Sequence, residues 1–242
     1  MSLEVYHLQL SQSERIVWLL EEMQVPYDLK VFKRDPTTGL APKELKEINP
    51  MGTAPYIRDT TTSPPACISE SSAIMAYILE VYGSRASGSR MLRTPDDPSY
   101  AQYLQWFHYA NGSLQPAISR QMIFNLSGVE QTDKVKFWRG QLEAQLKFID
   151  DHLAQNKWFA GNAASAADCM IMFTLSTMRG FMPLDLGPHK NILRWMADVA
   201  ERPAYKRAME KGDDGMEPMI KAKERRFTQF PSFREAIAGA ED

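Results

Sequence analysis

The 242-residue chain is predicted to fold as an α/β domain built on a four-stranded mixed sheet, followed by an all-helical bundle. Three patterns carry that prediction: a strand–helix–strand unit between Val5 and Val31, a pair of short strands between Pro55 and Ser69, and unbroken helical periodicity beyond Pro98. The length suits two modest domains. Their expected boundaries are 1–83 for the α/β domain, 84–98 for a linker and 99–242 for the helical domain with a C-terminal extension.

Val5 to Leu8 form a short β-prone run. Ile16, Val17, Leu19, Leu20 and Met23 then recur at helical spacing, with Glu21 and Glu22 expected on the opposite, solvent face. Pro26 stops that helix, and Tyr27, Leu29 and Val31 alternate with Asp28 and Lys30 as in a half-buried strand. A crossover this short predicts parallel strands in one right-handed βαβ unit. Arg34 to Pro42 reads as a loop, and Lys43 to Ile48 as a short helix ended by Asn49-Pro50. Pro55–Asp59 and Ala66–Ser69 flank a turn-rich connection and should pair antiparallel. Ile74, Ile78, Val81 and Tyr82 mark the next helix, with Gly83 expected as its C-terminal cap. Beyond the linker, Tyr100 to Leu114 should begin one long helix, with Phe137, Leu142, Leu146, Ile149 and Leu153 the stripe of another. Ser165-Ala-Ala-Asp168 has a capping-box layout, Asp replacing Glu, and should start a buried helix running through Met178.

The bulk properties narrow the function. A formal charge of −2 with mixed signs offers no field to collect nucleic acid or an anionic membrane, so the expected partner is a small molecule or a protein. No run approaches the roughly 20 apolar residues that cross a bilayer, and Met1-Ser2-Leu3-Glu4 has no export pattern, so a cytoplasmic location is expected. Cys67 and Cys169 form no C-x-x-C pair. His7, His108, His152 and His189 show no metal-ligand spacing, so they are read as ordinary residues and no metal is expected.

Three further motifs recur at family-like separations: L-S-Q-S-E-R at Leu10 to Arg15, N-P-M-G-T-A-P at Asn49 to Pro55 and E-S-S-A-I at Glu70 to Ile74. With G-N-A-A-S-A-A-D at Gly161 to Asp168 and R-P-A-Y at Arg202 to Tyr205, the chain resembles the cytosolic glutathione transferases over about residues 4–211. W-L-L-E-E at Trp18 to Glu22 and R-D-P at Arg34 to Pro36 point within that family to fungal and bacterial transferases of the yeast Gtt type. The resemblance implies a thioredoxin-like N-terminal domain, glutathione as co-substrate without any other cofactor, an apolar co-substrate site and a homodimer. The activity it implies is attack of the glutathione thiolate on hydrophobic electrophiles or peroxides.

The residues themselves leave alternatives. A free thiol has a pKa of about 8.5, so a transferase must enrich the thiolate. Ser11 lies where a hydroxyl and the helix N-terminus could both face a sulfur anion, but a helix-capping role for Ser11 or Ser13 fits the same local sequence. The resemblance favours Ser11, four residues before Arg15 as in serine-type members. Glu70 and Ser71 open a helix and could hold the ammonium and carboxylate of the γ-glutamyl end, although a serine-rich cap is the plainer reading. By resemblance, Ala54–Pro55 is cis and the Ala54 backbone meets the cysteinyl part. Thr53 stands where many relatives carry lysine, which leaves Lys43 as candidate for the glycine carboxylate. Trp106 and Tyr109, in an aromatic cluster that core packing would equally explain, are the candidates for the apolar site. The tail from Glu217 to Asp242, with Phe227, Phe230 and Phe233, either covers that site or extends away from it. A ligand-sequestering protein of the same fold is the alternative function. A thiol–disulfide enzyme would need cysteine in place of Ser11, and a non-catalytic interaction module would not need Ser11, Glu70 and Ser71.

Overall fold

A computed structural model of the chain describes residues 2–128 and 132–238. The strands are β1 (Leu3–Leu8), β2 (Asp28–Phe32), β3 (Tyr56–Asp59) and β4 (Ala66–Ser69). They form one sheet in the order β2-β1-β3-β4, with β1 parallel to β2, antiparallel to β3, and β3 antiparallel to β4. The register sets Val5 between Leu29 and Ile57. Alternation along β1 turns Leu3, Val5 and His7 inward, so a histidine occupies a position at which period two calls for an apolar residue. Between the strands lie α1 (Glu14–Met23), α2 (Glu44–Ile48) and α3 (Ser71–Tyr82), completing the thioredoxin-like half. Gly83 does not cap α3 in a left-handed conformation: its φ of −57° carries the chain on into a 3₁₀ turn over Gly83–Arg85.

The second half contains α4 (Tyr100–Tyr109), α5 (Gln115–Leu126), α6 (Asp133–Gln155), α7 (Ala166–Leu175), α8 (Lys190–Ala200), α9 (Pro203–Gly212) and α10 (Phe233–Ala238). The single helix expected over Tyr100–Leu114 is divided by a π-helical turn at Ala110–Leu114. Pro116 lacks the N–H that an α-helix would send to Gly112, and its ring crowds that carbonyl, which opens the turn. The stripe on α6 also differs from expectation. Val135, Leu142, Leu146, Ile149 and Leu153 are buried, but Phe137 is off their face and 58% exposed. The α7 capping box is present, Asp168 accepting from Ser165 N at 2.8 Å, yet α7 ends at Leu175 and a separate 3₁₀ turn holds Thr177–Gly180.

Contact between the halves overturns the solvent-facing assignment of Glu21 and Glu22. Helix α9 lies along α1 and buries both carboxyls: Arg207 and Lys211 bond Glu21, and Arg202 bonds Glu22 at 2.8 Å. Burial raises both pKa values, but these hydrogen bonds, with those from Tyr27 and Trp18, outweigh it and hold the carboxyls below their ordinary range. Trp18 packs edge-on against Tyr205 at 5.0 Å across the same contact. In the connection between halves, Met91 and Arg93 are buried, and the Arg93 guanidinium bonds the carbonyls of Ala160, Ala163 and Ala164.

Candidate active site

The loop from β1 into α1 is held at both ends. Leu10 adopts a φ of 55°, with its N–H donating to Asp213 Oδ1 at 2.6 Å and its carbonyl accepting from Arg34 at 3.0 Å. Arg34 also bonds the carbonyls of Gln9 and Gly39. This arrangement presents Ser11 on the wall of a cavity of about 340 Å³. Its hydroxyl lies 2.7 Å from that of Ser13 and accepts from Ser13 N at 3.2 Å. Ser13 is the N-cap residue of α1, but its hydroxyl makes no capping bond; it is turned back to Leu8 and to His7 Nδ1, 2.8 Å away.

The cavity lies between the two halves. Ser11, Gln12, Thr53 and Ala54 line it from the first half, and Met122, Phe173, Met178, Phe181 and Phe233 from the second. Ala54–Pro55 is cis, and Gln12 Nε2 approaches the Ala54 carbonyl at 3.4 Å. Asn49 donates to the Thr53 carbonyl at 2.8 Å and thereby shapes the turn before Ala54.

Arg15 connects this cavity to the start of α3. Fully buried, its guanidinium donates to Gln12, Ser71, Asn111, Gln115 and Thr174 at 2.8–3.2 Å, all neutral acceptors. Desolvation brings its pKa down to about 9, so it stays charged at neutral pH. Ser71 Oγ accepts from both Arg15 and Asn111 Nδ2 at 3.1 Å, leaving its own proton to donate. Glu70 is exposed beside it, at a φ of 74°. Glu14, buried beneath the loop, is pushed up to about 8, first by desolvation and then by the nearby charge of Asp213; Thr177 and Tyr205 donate to it.

The structure therefore brings Ser11, Thr53 and Ala54 to one cavity and ties Ser71 to it through Arg15 and Gln12. Lys43 is exposed at the start of α2 and is not on the cavity lining. Trp106 and Tyr109 are not on the lining either. Trp106 is 1% exposed and enclosed by Tyr109, Phe148, His152 and Phe159, which makes it part of the helical core. The apolar wall comes instead from Phe173, Met178, Phe181 and the tail, described as far as Ala238, with 239–242 outside the described residues. Phe227 N donates to Gly180 O at 2.7 Å and Ser232 N to Thr37 O at 2.9 Å, so the tail lies over the cavity. Sequence reasoning passed over Asn111 and Gln115, although two amides four residues apart inside an apolar helix signal a shared polar partner.

The chain is similar to known proteins along most of its length. Family profiles for the glutathione S-transferase N-terminal and C-terminal domains match residues 11–81 and 109–203. Glutathione S-transferase 3 of Schizosaccharomyces pombe is 34% identical over 225 residues, covering 87% of this chain and 88% of that one. Glutathione S-transferase 1 of Saccharomyces cerevisiae is 26% identical over 228 residues, 86% and 94% of the two chains. A solved glutathione S-transferase from Actinobacillus pleuropneumoniae matches with a TM-score of 0.77 at 26% identity, covering 87% and 93%. The chain belongs to the glutathione S-transferase family.

Proposed function

We infer that the protein is a glutathione transferase in which Ser11 donates to the glutathione sulfur and stabilises its thiolate for attack on a hydrophobic electrophile or peroxide. The observation that carries this reading is the position of Ser11, just before the N-terminus of α1 and on the wall of a cavity lined by both halves. In this reading the γ-glutamyl carboxylate takes the free Ser71 proton and its ammonium meets Glu70. The Ala54 backbone pairs with the cysteinyl part, its carbonyl exchanging the long Gln12 contact for a ligand N–H. The glycine carboxylate lies toward Thr53 and Lys43. The co-substrate occupies the side lined by Met122, Phe173, Phe181 and Phe233. Family membership supports a cytoplasmic homodimer. Among the described residues no helix is long and apolar enough to cross a membrane.

Ser11→Ala tests the assignment. A hydrogen bond to an anion contributes about 1.5–3 kcal/mol, so the bound thiol pKa should rise by roughly one to two units at about 1.36 kcal/mol per unit. The readout is thiolate absorbance of bound glutathione against pH. Superimposed titrations for wild type and Ser11→Ala would remove Ser11 from the role.

A further inference from the structure

Behind Ser11 runs a continuous chain of polar atoms that ends in the interior. Ser11 Oγ is 2.7 Å from Ser13 Oγ, and Ser13 Oγ is 2.8 Å from His7 Nδ1. His7 Nε2 faces Asp213 Oδ2 at 3.6 Å, and both side chains are essentially inaccessible to solvent. His7 Nε2 and Asp213 Oδ2 are also buried atoms without a hydrogen-bond partner among the described residues. Such orphaned groups call for a reason beyond packing. Gly212 allows the approach, since a Cβ there would come within 2.9 Å of His7 Nε2. The chain of contacts thus joins Ser11 on the cavity wall to the end of α9.

We propose that His7 is the proton store of the site: the proton of the bound glutathione thiol passes through Ser11 and Ser13 to His7 Nδ1, and Asp213 stabilises the imidazolium formed. This inference rests on the reading of Ser11 as the group that touches sulfur; His7 acts through the two hydroxyls and is a relay residue. Each Oγ receives one proton and gives up another, so the S–H bond breaks, an N–H bond forms at His7, and no electrons change hands. The direction of the hydroxyls explains why the store matters. With Nδ1 unprotonated, Ser13 donates to His7 and Ser11 to Ser13, leaving a lone pair of Ser11 to accept the thiol proton. With Nδ1 protonated, His7 donates to Ser13, Ser13 to Ser11, and Ser11 to the thiolate. The transfer therefore creates the donor that the anion needs. Asp213 is the carboxylate facing His7. Glu14 of α1, Tyr205 of α9 and Arg34 after β2 share its field, and Glu14 is held largely neutral at pH 7 by burial.

A stored proton also distinguishes substrates. Attack of the thiolate on a hydroperoxide breaks the O–O bond and releases an alkoxide, to which the chain returns the proton. GS⁻ + ROOH + H⁺ gives GSOH + ROH, with sulfur oxidised and the peroxide reduced. An aryl halide expels a halide ion, which needs no proton.

The test counts protons. Glutathione is added to the full-length wild-type protein in weakly buffered solution at neutral pH, with an indicator for released protons and thiolate absorbance read together. S-Methylglutathione, which has no thiol proton, supplies the background. Thiolate formation without matching proton release supports the relay, whereas one proton released per thiolate overturns it. In Ser13→Ala, which cuts the chain, and His7→Asn, which keeps a polar neighbour for Ser13 but cannot store a proton, release should match the thiolate formed. If either variant fails to fold, the wild-type count still decides. An unchanged thiolate titration in Ser11→Ala would instead refute the reading of Ser11. Finally, His7→Asn should lower hydroperoxide turnover by a factor on the order of 100 more than aryl halide turnover, the scale of general acid catalysis. Equal losses on both substrates would overturn the return step.

Discussion

Two aromatic clusters in the helical half differ in what their rings face. Around Trp106, the rings of Tyr109, Phe148, His152 and Phe159 lie 4.6–5.2 Å away, and Phe159 meets Trp195 at 4.9 Å. Around Phe181, Phe227, Phe230 and Phe233 lie at 4.9–6.2 Å, and the Arg34 guanidinium stands 4.8 Å from its ring centre. The first set is drawn from α4, α6, α8 and the connection before α7, so protein encloses Trp106 on every side. The second is assembled largely by one short stretch of the tail, and Phe181 and Phe233 keep surface on the cavity. Aromatic character alone does not separate a packed core from a cavity wall. What separates them is whether the last face of each ring meets protein or open space.

The largest effect expected from this contrast is on Trp106. Removing a fully enclosed indole leaves a cavity, and Trp106→Ala should destabilise the protein by about 3–5 kcal/mol, read as a lower denaturation midpoint. Under conditions where the variant is folded, its KM for an apolar electrophile should match wild type. A raised KM with unchanged stability would return Trp106 to the co-substrate site and collapse the distinction.

A smaller and differently distributed effect is expected at Gly180. A Cβ there would come 2.2–2.5 Å from the Phe227 ring, which cannot be accommodated while Phe227 N stays bonded to Gly180 O. Gly180→Ala should displace the tail and cost about 1–3 kcal/mol, in the range of other overpacked sites. Its signature should be a several-fold higher KM for the apolar co-substrate, with glutathione affinity unchanged. If glutathione affinity falls as well, the tail shapes both subsites and the second cluster is not confined to the apolar wall.

The same contrast explains what was legible in the sequence. The order of strands and helices follows from local signals: alternation at Leu29 and Val31, punctuation at Pro26 and Asn49-Pro50, the capping box at Ser165. Those signals act over a few residues and survive into the fold. Candidate site residues could be named from motifs at Ser11, Ala54 and Glu70-Ser71, because each motif is contiguous. Groups that work across the domain contact were hidden. His7 meets Asp213 only once the end of α9 docks, and Asn111 meets Arg15 from a π-helical turn. Glu21 and Glu22 look like a solvent face until α9 and the Arg202 that precedes it supply three cations. In each case the partner lies about 100 residues or more along the chain, beyond the reach of periodicity.

The smallest effect belongs to Phe137, the aromatic that helical spacing assigns to the core and the structure leaves outside. Counting back from Leu153, Ile149, Leu146 and Leu142, the buried face of α6 continues through Arg139 to Val135, and Phe137 falls between those two on the far side of the helix. Its ring touches Trp138 edge-on at 5.3 Å, and Trp138 in turn sits under Arg120 at 4.1 Å, so it belongs to a surface cluster. Phe137→Ser should therefore change stability by no more than about 0.5 kcal/mol, the usual bound for a surface substitution, and leave both KM values unaltered. Light scattering on the same variant completes the test. An unchanged mass with unchanged stability confirms a solvated ring, neither core nor binding wall, whereas a smaller particle would show that this face meets a second copy of the chain. A loss of several kcal/mol in a particle of unchanged mass would mean that the ring is packed after all, and that spacing alone had separated core from surface correctly on α6.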